Sequence, residues 1–285
     1  APCPSCGAPL DFRSPASIMA VCAYCQSTAI RQGDSLTTQG EISAILDDLS
    51  PLQLGVTGNY LGNSFTLLGR LKLEYDDGYW YEWYAAFDDG SEGWLSEASG
   101  QYVFTLPQPA QATTPQFEQL RAGQILHWEK QAYQASDVRT ARCTGGEGEL
   151  PFVVGKGWEA RVADFRAGDR FLTLDYSDFG DTANSGSQDQ PHCFAGWAVT
   201  LQSLKCQNLR DAEDIARAQL AKPSSAATGS VQSLGCPNCG SPIQYVNGLT
   251  PQLNCPACQA EIALEGPTAK LLAVNQKIPQ RSTLK

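Results

Sequence analysis

The sequence predicts a mainly β protein. A central antiparallel barrel or sandwich-like domain sits between two small four-cysteine modules, with short helices at the junctions. Three observations predict this. Cysteine pairs at CxxC spacing occur twice near each end of the chain. Between them, runs rich in Tyr, Trp, Phe and Val are punctuated by Asp-Gly turns. Gly and Pro, 26 and 17 of 285 residues, favour many turns over long helices.

The end modules come first. Cys3, Cys6, Cys22 and Cys25 form one quartet, and Cys236, Cys239, Cys255 and Cys258 form another. A shift of 233 positions lays every cysteine of the first on one of the second, along with Gly7 on Gly240, Pro9 on Pro242 and Gln26 on Gln259. Four thiolates on two knuckles surround one tetrahedral Zn²⁺ at about 2.3 Å per bond. So short a segment has almost no core, and the metal supplies the folding free energy. The pattern resembles a zinc ribbon. The expected cofactor is Zn²⁺, two per chain, with iron in a rubredoxin-like cage as the minor alternative. A redox dithiol explains one CxxC, but not four in register. Ribbon 1 is placed at 1–31 and ribbon 2 at 235–266.

The segment 32–51 reads as a linker and a short helix. Thr38 and Glu41 form its capping box, Ile42, Ile45, Leu46 and Leu49 its apolar side, and Pro51 its end. The central domain is placed at 52–210. Its first strands are Phe65 to Leu68 and Leu71 to Tyr75, broken at Gly69-Arg70. The aromatic run Tyr79 to Phe87 lies between the turns Asp76-Asp77-Gly78 and Asp88-Asp89-Gly90, and Trp94-Leu95 and Tyr102 to Phe104 follow. Residues 107–116 read as a loop. Further strands are expected at Ile125 to Trp128, Val138 to Cys143, Trp158 to Val162, Arg170 to Tyr176 and Phe194 to Leu201. The polar run 179–191 is a long loop. A short helix over 206–222 and a linker over 223–234 lead into ribbon 2. A basic tail, 267–285, opens with a short helix from Ala269 to Val274.

Charge narrows the function. The chain carries a formal −10, and residues 41–210 alone hold 12 basic against 23 acidic side chains. Such a centre repels a phosphate backbone and prefers cations. Ribbon 1 has only Arg13 and Arg31, and no Lys or Arg falls between Cys236 and Cys258, so nucleic-acid binding is a weak alternative. His127 and His192 are the only histidines. His192 adjoins Cys193, but neighbours on a strand point to opposite faces, and no nucleophile–base set stands at a recognisable spacing. Gly145-Gly146-Glu147-Gly148 lacks the Lys-Ser/Thr of a phosphate loop. The protein is therefore expected not to be an enzyme. Aromatic rings beside carboxylates suggest a cage for an organic cation or polyamine, with Trp80, Glu82, Trp83 and Asp88 as its candidates, although such stripes more often pack a core. Cys143, Cys193 and Cys206 are expected in the core.

Several stretches together resemble the domain-of-unknown-function 4178 family. They are Gly69-Arg70-Leu71, Trp80-Tyr81-Glu82-Trp83-Tyr84, Phe87-Asp88-Asp89-Gly90 with Trp94-Leu95, Gly148-Glu149-Leu150-Pro151, Leu174-Asp175-Tyr176, and Gly196-Trp197 to Leu204. The polar insertion from Thr182 to Gln190 departs from it. The resemblance carries no catalytic residues. It implies a bacterial protein flanked by zinc ribbons, encoded beside polyamine aminopropyltransferases, small membrane proteins and relatives of phage shock protein A. Some relatives carry a second β-domain, toward which the basic tail would lead.

The combined expectation is a non-enzymatic adaptor that makes protein–protein contacts in an envelope-stress or membrane-remodelling system. No apolar run approaches the roughly 20 residues of a membrane-spanning helix, and no leader pattern opens the sequence. The expected location is cytoplasmic, peripheral to the inner membrane through a membrane-associated complex.

Overall fold

The computed structural model describes residues 1–33, 35–45, 50–76, 78–111, 114–155, 157–179 and 190–211, Ile215, and the strands of residues 231–273 with Ala260. The chain divides into two compact units, Ala1–Leu220 and Ala221–Lys285.

The first unit is built on two four-stranded meanders. One runs through β5 (Asn63–Tyr75), β6 (Gly78–Phe87), β7 (Glu92–Ala98) and β8 (Gln101–Gln108). The other runs through β10 (Gln131–Leu150), β11 (Glu159–Ala167), β12 (Arg170–Asp175) and β13 (His192–Val199). Two antiparallel seams, β13 to β8 and β10 to β5, close them into an eight-stranded barrel. Aromatic and β-branched residues favour these strands, and the Asp88-Asp89-Gly90 turn, with Gly90 at φ 84°, returns β6 into β7. The seams depend on glycine. A Cβ at Gly69 would lie 1.8 Å from the Glu149 carbonyl oxygen, and one at Gly196 would lie 1.8 Å from that of Phe104. Without side chains there, the backbones approach closely enough to pair.

Further strands extend this sheet. β4 (Thr57–Tyr60) pairs with β5, and β9 (Ile125–Trp128) pairs with the start of β10. At the N-terminus, β1 (Met19–Val21), β2 (Ser27–Gln32) and β3 (Ser35–Glu41) form a ribbon whose β1 pairs with the end of β10. Met19, Val21, Ile30 and Ile42 share a buried cluster with Leu71, Leu73, Tyr84 and Leu150 of the barrel. The Glu149 carboxylate accepts hydrogen bonds from the backbone N–H groups of Arg13 and Ser14 at 2.8–3.1 Å. Ribbon and barrel therefore share one core. A second cluster, with Trp83, Phe65, Phe104 and Leu204, lies on the other face of the first meander. A third, with Phe165, Leu172, Leu174 and Trp128, lies on the second.

Several expectations need correction. Thr38 and Glu41 lie in strand β3, not at a helix start, and Ile42 is a core residue. Leu46 and Leu49 fall outside the described residues. The helical spacing of Ile42 and Ile45 is overridden because β2 needs a third strand beside it. Gly69-Arg70 does not break the chain. It sits inside a continuous β5, with a register irregularity between Leu67 and Gly69. Pro107 and Gln108 belong to β8 and not to a loop. Of the expected 206–222 helix, Ile215 is described as helical, its N–H bonded to the Asp211 carbonyl, and most of the rest falls outside the described residues.

Among its described residues the second unit has five short strands, β14 (Val231–Gly235), β15 (Pro242–Val246), β16 (Gln252–Asn254), β17 (Glu261–Glu265) and β18 (Thr268–Ala273). The last replaces the helix expected from Ala269 to Val274. Its pairing repeats that of the ribbon. Shifted by 233, Pro2 opposite Pro9 becomes Gly235 opposite Pro242, and Val21 opposite Thr28 becomes Asn254 opposite Glu261. Gln32 opposite Ser35 becomes Glu265 opposite Thr268. The duplication thus extends to a third strand beyond each quartet.

Candidate metal centre and barrel lumen

The two knuckles of the first ribbon are built alike. The N–H of Cys3 bonds the carbonyl of Ala8 at 2.7 Å, and that of Gly7 bonds Cys3 at 2.8 Å. The N–H of Cys22 bonds Ser27 and that of Gln26 bonds Cys22, both at 2.9 Å. The fifth residue of each knuckle is left-handed, Gly7 at φ 77° and Gln26 at φ 61°. This turn aims both cysteines of a pair to one side. The sulfurs of Cys3, Cys6, Cys22 and Cys25 lie within 4.8 Å of one another, with Cys3 to Cys25 at 3.8 Å and Cys6 to Cys22 at 3.7 Å. Metal–sulfur bonds of about 2.3 Å at the tetrahedral angle place sulfurs about 3.8 Å apart. The four residues fit a metal ion. Burial pushes the Cys3 thiol up, but hydrogen bonding to Ser27 and to the backbone of Cys6 and Ser5 outweighs it and brings it to about 6. The Ser27 hydroxyl lowers Cys25 as well, whereas Cys6, despite a hydrogen bond from the Ala8 backbone, is pushed up to about 12 by Cys25 and its other sulfur neighbours, so the coupled thiols hold their protons unequally. Cys236, Cys239, Cys255 and Cys258 lie outside the described residues. By sequence, the first pair falls between β14 and β15 and the second between β16 and β17, matching the places of the first quartet.

The other candidates separate by strand parity. Trp83 and Glu82 are neighbours on β6 and so face opposite ways. Trp83 is fully buried, donates to the Glu97 carboxylate at 2.9 Å, and packs under the Arg70 guanidinium at 4.5 Å from its ring. The cation over Trp83 is thus the chain's own Arg70, which also pairs with Glu147 at 2.7 Å. Asp88 is exposed in a turn. Trp80 and Glu82 face the barrel lumen. The Trp80 indole N–H donates to one Glu82 oxygen at 2.7 Å and the Ser96 hydroxyl to the other at 2.8 Å.

The lumen holds a cavity of about 240 Å³. Around it stand Glu82, Glu92, Trp94 and Ser96 of the first meander and Thr173, Asp175 and Phe194 of the second. The loop residues Phe152, Trp158 and Phe179 pack together with centroids 4.5–5.7 Å apart, and Phe179 stands 4.8 Å from the His192 ring. Eight strands leave room for packed side chains or one small ligand. Sequence reasoning found Trp80 and Glu82 but missed Glu92, Trp94, Trp158 and Asp175. Alternation along β7 and β12 carried the signal, but which face turns inward depends on closure. His192 is exposed while Cys193 is buried behind it. Cys143 is also buried, and Cys206 is half-buried.

Burial, opposed by hydrogen bonds from Ser96 and Trp80, raises the Glu82 carboxyl to about 8, and nearby Asp164 and Asp175 add to the rise. Burial likewise lifts Asp175 to about 6, against hydrogen bonds from Ser177. The sign follows from linkage. The folded state holds these protons more tightly than the unfolded chain does, so their contribution is complete below the ordinary carboxylate range and is lost as pH rises. Between that range and about pH 8, stability in urea is expected to fall, and Glu82→Gln is expected to flatten the fall. Parallel pH profiles for wild type and variant would remove Glu82 as its source.

The family model described as Domain of unknown function (DUF4178) matches residues 53–199, from just before β4 to the end of β13. No curated protein and no solved structure matches the chain. Among the described residues, no helix is long and apolar enough to cross a membrane.

Proposed function

We propose that this chain, which belongs over its barrel to the DUF4178 family, is a non-enzymatic adaptor that uses zinc-held ribbons to contact other proteins. The observation that carries the reading is the exposed edge of the first ribbon. Strand β3 ends the sheet, pairs with β2 alone among the described residues, and is exposed along nearly its whole length. Its sequence, Ser-Leu-Thr-Thr-Gln-Gly-Glu, has none of the Lys or Pro residues that usually guard an edge. An extended segment of a partner can add there as a further strand. The repeated register supports a second ribbon of the same kind, and hence two ions.

Zinc suits both quartets, because a closed four-thiolate cage with no open position is its structural use. Both cations of the first ribbon are already engaged. Arg13 pairs with Glu149 at 3.4 Å, and Arg31 lies 4.3 Å from the Phe12 ring centre. That weighs against a nucleic-acid reading. The envelope setting, with a membrane-associated partner complex and a cytoplasmic chain, rests on the neighbourhoods of the proteins this one resembles.

The test is cross-linked affinity purification from the native host with metal analysis of the same sample. The expected result is two Zn²⁺ per chain and a partner cross-linked at β3. Thr37→Lys with Gln39→Lys is expected to cut partner recovery at least about fivefold, a change of roughly 1 kcal/mol, with metal content unchanged. Equal recovery with the charged edge, or no partner at all, would sink the reading.

A further inference from the structure

We propose that the barrel lumen is a binding site for a small organic ammonium ion, held by the carboxylates of Glu82, Glu92 and Asp175 and the rings of Trp80, Trp94 and Trp158. The inference rests on the barrel alone and does not depend on the adaptor reading.

Size comes first. A cavity of about 240 Å³ lies below the roughly 300–1,000 Å³ of drug-sized sites, so its occupant is a small metabolite. Charge comes second. Among the described residues lining the cavity there is no Lys or Arg, and the one His stands at the Phe179 end. Three carboxylates share the wall, so an anion is repelled. Burying a charged carboxylate without a counter-cation is costly, which is why Glu82 holds its proton up to about pH 8 in the lumen. A bound cation takes the place of that proton, so ammonium binding strengthens as pH rises toward that value, whereas an apolar occupant leaves the carboxyl protonated.

The wall also discriminates among cations. Hard metal ions need several oxygen ligands converging on one point. Among the described residues, the cysteine quartet is the one group of ligand atoms gathered closely enough for that. The lumen instead interleaves carboxylates with indole rings. Glu82 lies two residues from Trp80 on β6, and Glu92 lies two residues from Trp94 on β7. Indole faces attract alkylammonium groups through the ring quadrupole, and more strongly once water is excluded.

These carboxylates are also held in place. Glu82 is fixed by Trp80 and Ser96, Glu92 by the Tyr84 hydroxyl at 3.0 Å, and Asp175 by the Ser177 N–H at 2.8 Å. Such holding reduces the ordering cost of binding.

Titration calorimetry and thermal shift on the full metal-loaded chain test the site, using n-butylamine, tetramethylammonium and the uncharged n-butanol. At least one ammonium probe is expected to bind and raise the melting temperature, and n-butanol to bind at least about tenfold more weakly. Glu82→Gln is expected to weaken ammonium binding about tenfold. Trp158→Ala, at the part-exposed mouth, is expected to weaken it several-fold and stands in if the first variant does not fold. Equal binding of n-butanol would reduce the lumen to an apolar void and overturn the proposal. No response to either ammonium probe would overturn it as well.

Discussion

Cys22→Ser is expected to remove the metal from the first ribbon and to lower the melting temperature of the barrel with it. The first half follows from the cage. A structural Zn²⁺ contributes about 10–16 kcal/mol of apparent binding free energy in small modules, and three sulfurs cannot close the tetrahedron. The second half follows from shared packing. Sequence reasoning makes the ribbon a separate module, so that losing it leaves the central domain intact. In the structure, β1 pairs with β10 through Met19, Ala20 and Val21, and Met19 is wholly buried in the barrel's cluster. The Val154 N–H even donates to the Met19 sulfur at 3.4 Å. When the knuckles open, that strand loses its anchor and Met19 its cover. Exposing such a side chain costs about 1.5–3 kcal/mol before the lost pairing is counted. For a domain of this size each kcal/mol moves the midpoint by about 2–4 °C. Metal analysis gives the stoichiometry, expected to fall by one ion per chain, and circular dichroism during heating gives the midpoint. A barrel midpoint unchanged after loss of that ion would mean that ribbon and barrel fold independently.

The parts of the molecule that were legible in the sequence are those fixed by local rules. CxxC spacing encodes a knuckle because a four-residue turn sets the sulfur separation, and the 233-residue offset survives in the strand pairing. Aromatic runs between Asp-Gly turns encode hairpins. The parts that were missed depend on long-range closure. Thr38 to Glu41 carries a helix-start pattern, yet β2 needs a neighbour and takes it as a strand. Ala269 is drawn into β18 in the same way, opposite Leu264. On β6 the text shows aromatics at both parities, so nothing local says whether Trp80 or Trp83 faces the lumen. The seams decide it, and they join residues far apart in sequence, such as Gly69 with Gly148 and Gly196 with Thr105. Segments of the family-like text sit at these seams. Gly69, Gly148 and Gly196 therefore read as closure points.

Glu149→Ala is the second large effect, expected to destabilise the first unit by about 2–4 kcal/mol through its unsatisfied backbone donors. Glu149 is 3% exposed and sits on the β10 strand where three structures meet. Its backbone pairs with Ala20 of the ribbon, and its carbonyl oxygen occupies the space that a side chain at Gly69 would need. Its carboxylate gathers the N–H groups of Arg13 and Ser14 and, at 3.4 Å, the Arg13 Nε. Removing it leaves two backbone donors without their acceptor at a partly buried junction, each costing about 1–3 kcal/mol. The consequence reaches the lumen. Ser14 contacts the Tyr84 hydroxyl at 3.4 Å, and Tyr84 holds the cavity-lining Glu92. Leu150 and Pro151, the next two residues, pair with Met19 and line the cavity. Urea unfolding should therefore show a lower midpoint for Glu149→Ala, and tryptophan fluorescence should report Trp94 and Trp158 becoming more solvated before the main transition. Glu149→Gln keeps an acceptor oxygen and is expected to recover part of the loss. An alanine variant within about 0.5 kcal/mol of wild type, the range of ordinary surface changes, would show that this carboxylate does not join ribbon to barrel.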